Sequence, residues 1–175
     1  MESSRRDLLR WQFDLAWSFF EYHLERLEEA DFLFEPGPLA WTMHAQPDGR
    51  WTPDWAESAP DPIPVPTIAW TSWHLGWWLS SALEHSGGRA ALDPLEVAWP
   101  GVGEPAVAWL RDLGAQWAAV LDALDDDTLD GAASFPWPPD AERTVADMAA
   151  WVNAELMKNA AEIGTVRLLR ASGAQ

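Results

Sequence analysis

The segment EPGPLAWTMHAQPDGRWTPDWAESAPDPIPVP, which ends at Pro66, constrains this chain more than any other. Residues 31–66 are so dense in Pro, Gly and Asp that no long helix fits there. On either side the pattern is helical. Before it, Leu9, Phe13, Ala16, Phe20, His23 and Leu27 recur at spacings of four and three. That predicts a first helix from about Ser4 to Glu29, capped by Ser3 or Ser4, with Asp7 at the positive end of its dipole. After it, Thr67 is a suitable N-cap for a second helix that stops near Ser86, where Gly87 and Gly88 supply the break. Structureless connections of this length are uncommon in compact domains and tend to be functional. Trp41, Trp51 and Trp55 are spaced as if to pin it to the body, and Pro60, Pro62, Pro64 and Pro66 favour an extended approach to the second helix.

Two more helices follow. Pro105 suits the first turn of a third, which runs to about Asp125 with Leu110, Leu113, Trp117, Val120 and Leu124 as its stripe. After the loop DDDTLDGAASFPWPPDAERT, a fourth spans about Thr144 to Ala171, with Met148, Val152, Leu156, Ile163 and Val166 facing inward. The second helix is apolar nearly all round, which predicts burial between the others. Four such helices without a convincing strand pattern imply an all-α four-helix bundle, formed by residues 1–175 as one domain. The long first connection has room to cross over, so that helices not consecutive in sequence can run side by side.

Composition removes several function classes. The net charge is −17 and the 11 basic residues are scattered, which argues against nucleic acid and against an anionic membrane surface as partners. With no cysteine there is no disulfide, thiolate metal site or cysteine nucleophile. MESSRRDLLRW has no apolar run after its arginines, and TIAWTSWHLGWWLSSAL is too short and polar to span a bilayer, so a cytoplasmic, soluble protein is expected. The 14 tryptophans serve either as packing or as the lining of a ligand cavity.

Bundle cores carry their sites on facing helices. On the fourth helix Glu155 and Asn159 are four apart on one face, Glu162 continues the row, and Lys158, the only lysine, lies among them. On the second, His74 sits between Trp70 and Trp78, each four residues away. An imidazole and a carboxylate from facing helices suit Zn²⁺, Ni²⁺ or Fe²⁺, but the same residues also make a hydrogen-bonded core histidine and a polar face. His44, in the loop, is a further ligand-pocket candidate. His23 reads as a packed core residue, and His85 as a helix-terminal charge. LDDDTLD lacks the spacing of a Ca²⁺ loop.

Three stretches carry a resemblance. PVPTIAWTSWHLGWW, NAELMKNAAEIGTVRLLR and LAWTMHAQPDGRWTPDW resemble, in order, the second helix, the last helix and the first loop of the DinB-like superfamily. The loop is similar to that of its actinobacterial members. The superfamily includes mycothiol-dependent maleylpyruvate isomerases and bacillithiol transferases. The resemblance implies an up-down-down-up bundle with a long crossover between helices 1 and 2. It also implies a divalent metal held by one residue at His74 and a pair at Glu155 and Asn159. In such relatives the metal activates a thiol or a water. Related last helices read roughly N-x-E-x-x-H-H-x-A-E-I, so Lys158 and Asn159 stand where two histidines would be. A neutral amide is a poor zinc ligand, and a site with only His and Glu lacks the usual third protein ligand. Three roles stand: a metal-dependent thiol transferase or isomerase with a weak site, a non-catalytic bundle with a degenerate site that takes a small thiol or apolar ligand, and a structural homodimer.

Overall fold

The computed structural model describes residues 4–58 and 60–173. Helix α1 (Arg5–Leu24) is capped by Ser4, whose hydroxyl accepts the Asp7 N–H while the Asp7 carboxylate reaches back to the Ser4 N–H. Ser3 lies outside the described residues. The helix ends before the predicted Glu29 because the chain turns to start a second, four-residue helix, α2 (Glu29–Phe32). Two side chains hold that turn: Phe32 is fully buried, and the buried Asp31 pairs with Arg170 at 2.6 Å.

The long connection contains short strands where the sequence pattern shows none. Strand β1 (Ala40–Trp41) runs parallel to β4 (Val65–Pro66), and β2 (Met43–Ala45) pairs with β3 (Trp51–Pro53) in an antiparallel hairpin. The hairpin turns at Gly49, whose φ of 83° is one that glycine adopts without strain. All three loop tryptophans pin it to the helices or their connections. Trp41 stacks on Trp70 at 5.1 Å, Trp51 meets Trp99 edge-on, and Trp55 meets Trp73 and Trp77 edge-on.

Helix α3 (Ile68–Ser86) is capped by Thr67 and stops at Gly87. Helix α4 (Glu104–Ala123) follows Gly103. The second loop holds a one-turn helix α5 (Asp126–Leu129) and strands β5 (Ala132–Ala133) and β6 (Arg143–Thr144), paired antiparallel. Helix α6 (Val145–Ala171) starts from a capping box between Thr144 and Asp147.

The protein is mainly helical. Helix α1 lies against α6 and α4, and α3 lies against the same two. Side-chain pairs fix the directions. Asn153 reaches the Leu9 carbonyl and Arg167 reaches His23, so α6 runs with α1. Arg10 bonds the Ala118 carbonyl and Arg111 bonds Glu21, so α4 runs against α1. Ring-into-glycine contacts bring the axes close: Trp17 covers Gly114, Trp109 covers Gly76, and the His23 ring covers Gly164. Among the described residues no helix is long and apolar enough to cross a membrane.

Candidate functional site

The predicted residues of α3 and α6 come together at the edge of the core, half-buried around the fully buried Asn159. His74 is enclosed by indoles. Trp70 stacks on its ring at 4.8 Å with an interplanar angle of 16°, while Trp77 and Trp78 approach edge-on at 5.7 and 5.5 Å. The Trp78 indole N–H donates to His74 Nε2 at 2.9 Å. An indole nitrogen can only donate, so Nε2 carries the lone pair and a neutral ring holds its proton on Nδ1. That places the ring's acceptor on Trp78 and its donor elsewhere.

The second half of the site belongs to Asn159, which is fully buried. Its Nδ2 donates to the Glu155 backbone carbonyl at 2.7 Å and lies 3.4 Å from the Glu155 carboxylate. Those contacts fix the amide so that Oδ1 is the free atom. His74 Nδ1 and Asn159 Oδ1 are both buried without a partner at hydrogen-bonding geometry. Burial pushes the His74 pKa down to about 4, and the Lys158 charge adds to that, with Asn159 opposing.

Lys158 is half-exposed, 3.4 Å from Glu155 Oε2 and 3.8 Å from Glu162 Oε1. Its charge is therefore tied to the two carboxylates of the row and still acts on the histidine. Burial raises the Glu162 pKa while Lys158 draws it down and Glu155 raises it. Glu162 also borders a groove of about 260 Å³ with Val65, Pro66, Thr165 and Leu169. His44 does not join the group. It lies exposed on β2, 2.8 Å from Asp54, whose backbone carbonyl takes the Trp70 indole N–H at 2.7 Å. Its tie to the site runs through the loop backbone.

Sequence patterning missed four contributors. Trp73 and Trp77 complete the aromatic shell, and their adjacency to His74 and Trp78 in WHLGWW was the available signal. Ser72 receives the Trp99 indole N–H at 3.0 Å, and Asn153, buried on α6, donates to the Leu9 carbonyl at 2.9 Å. Neither Ser72 nor Asn153 has a signal in the chain, because each partner lies on a distant segment.

A larger cavity, about 640 Å³, opens between the C-terminal ends of α3 and α4 and the start of α6. Leu83, Val120, Leu124 and Met148 give it apolar walls, and His85 and Thr128 also line it. His85 is eleven residues beyond His74, which puts it roughly 16 Å further along α3.

A mainly helical protein with a half-buried histidine on its third helix and a carboxylate–amide pair on its last is the class defined by this geometry. The chain belongs to the DinB superfamily, whose family profile matches residues 12–163. No curated protein and no solved structure matches it.

The divalent metal of related sites can be tested against these residues. Among the described residues no group of three His, Cys, Asp or Glu side chains is placed to hold an ion. The Nε2 lone pair of His74 is taken by Trp78, Asn159 offers only an amide oxygen, and an ammonium stands beside Glu155. The donor set does not fit Zn²⁺ or Ni²⁺.

Proposed function

We propose that this chain is a DinB-superfamily protein that keeps the bundle without metal-dependent thiol chemistry. In this reading the four long helices form the up-down-down-up bundle with a long crossover from α1 to α3. The parallel α1–α6 pair and the antiparallel α1–α4 pair support that topology. The observation that carries the functional reading is the Trp78 N–H on His74 Nε2. A metal would have to displace a part-buried hydrogen bond and would gain only two conventional ligands, His74 and Glu155. The mycothiol-type transfer or isomerisation of its relatives is therefore absent here, and α3 meets α6 through packing such as the Trp78 ring edge-on to Trp151 at 4.7 Å. The chain works in the cytoplasm, consistent with its acidity and with the lack of a membrane-length helix among the described residues.

Elemental analysis of the purified protein tests this. We expect no stoichiometric Zn²⁺ or Ni²⁺ in the wild type, and none in Asn159→His, because Trp78 still occupies the imidazole. Asn159→His combined with Trp78→Phe frees Nε2 and restores a third ligand, and it should gain metal. Stoichiometric metal in the wild type would sink the reading.

The 640 Å³ cavity favours a ligand-binding role at a place other than the one the tryptophans mark. Its size and apolar walls suit a small, mostly apolar molecule. Thermal-shift screening with neutral aromatic compounds should find binders in the wild type and lose them in Ala123→Phe, which fills the cavity. Binders that survive that substitution would place the ligand elsewhere.

A further inference from the structure

Helix α1 carries two apolar stripes, and only one of them is buried. The buried one is Leu9, Phe13, Ala16, Phe20 and Leu24. The other, Leu8, Trp11, Leu15, Phe19 and Tyr22, faces solvent, with exposures of 61, 61, 37, 53 and 52%. At 100° per residue the five side chains fall within an arc of about 80° on the side away from the core. Scaled by what such side chains can bury, the exposed area is roughly 600 Å², the top of the range for apolar patches on monomers and most of the ~800 Å² per partner of a standard interface.

We propose that this stripe is the contact between two copies of the chain, packed as antiparallel α1 helices about a two-fold axis at Leu15. Two features of the sequence select a second copy over another partner. The spacing is palindromic: steps of three, four, four and three place Leu8 opposite Tyr22, Trp11 opposite Phe19, and Leu15 opposite itself. That self-complementarity is what an isologous contact requires. The charge is also uneven. Residues 4–26 carry four arginines, Arg5, Arg6, Arg10 and Arg26, against four carboxylates, Asp7, Asp14, Glu21 and Glu25, so the rest of the chain holds the whole net charge of −17. Three pairings form within the segment, Arg6 with Asp7, Arg10 with Asp14 and Arg26 with Glu25, while Glu21 takes Arg111, and Arg5 and Arg10 also reach Asp126, Asp130 and Asp122. Two strongly acidic molecules approach each other with least repulsion through such a face, and a basic partner finds no net negative charge on it.

The chain has no cysteine, so single cysteines report the geometry directly. Sedimentation of the full chain at about 20–50 μM, in a range where micromolar dimers persist, should give the dimer mass. Leu15→Glu should give the monomer with an unchanged helical circular-dichroism spectrum. Mild oxidation should cross-link most of Leu15→Cys and little of Leu8→Cys, because only position 15 meets its own copy on the axis. Raising NaCl to about 0.5 M should leave the dimer intact, since screening weakens only charge contacts. A wild-type monomer at these concentrations overturns the proposal, as does a dimer insensitive to Leu15→Glu. Efficient Leu8→Cys cross-linking overturns the antiparallel register, and a monomer that binds lipid vesicles assigns the stripe to a membrane surface instead.

Discussion

At His74 one hydrogen bond decides the chemistry. A neutral imidazole whose acceptor is held by Trp78, and whose ring is flanked by indoles, is a poor base and a poor ligand at neutral pH. Its low pKa also makes a stability claim. The folded value of about 4 lies below the ordinary 6.5, so the unfolded chain takes up the proton first as pH falls. Stability from this group is fully present above pH 6.5 and is lost through the interval down to 4, at about 1.4 kcal/mol per pH unit and about 3 kcal/mol in total. Urea denaturation between pH 7 and 4.5 should show that slope in the wild type and a shallower one in His74→Gln. Equal slopes would mean that the ring is solvated in the fold. The sequence led to His74 and to its neighbours on both helices, because spacing on a helix fixes which residues share a face. It could not show the Trp78 N–H on Nε2, which depends on two rotamers and on how tightly the indoles pack.

Among the elements, the helix starts were the most legible part. Ser4 and Thr67 accept the backbone N–H three residues on, as their places before apolar runs suggested, and Thr144, the expected start of the last helix, does the same. Local chemistry settles such features. The early end of α1, the loop strands and the glycine contacts were not legible, because each depends on a partner far along the chain. Gly76 shows the consequence. A methyl group there would overlap the Trp109 ring, and both residues sit inside the α3–α4 contact. Gly76→Ala would gain helix propensity of at most about 1 kcal/mol and lose more through the forced separation of the helices, for a net destabilisation of about 1–3 kcal/mol. Chemical denaturation should show that loss, and Trp109→Leu in the same chain should recover part of it. A variant as stable as the wild type would mean that the ring can move aside. The exposed stripe of α1 was also in the sequence, overlooked because the core stripe beside it already satisfied the helical pattern.

The whole molecule sets local ion pairs against a global imbalance. Most of the pairs lie at the surface, where each contributes about 0–1 kcal/mol, and salt would weaken them. The net charge of −17 acts in the opposite sense, since carboxylates outnumber basic residues by 28 to 11 and are drawn together by folding. At low ionic strength the Debye length is about 30 Å, so the surplus charges all feel one another, whereas the ion pairs act over a few ångströms and are the last to be screened. Repulsion should therefore win. Raising NaCl from about 0.01 to about 0.3 M at pH 7.5 should raise the melting temperature by about 2–4 °C, equivalent to about 1 kcal/mol for a chain of this size. Chloride rather than sulfate is the proper test, because sulfate would also strengthen apolar burial. At pH 7.5 both forms of His74 are neutral, which keeps its contribution out of the measurement. A falling melting temperature would show that the ion pairs, including the part-buried Asp31–Arg170 contact between α2 and α6, outweigh the surplus of charge.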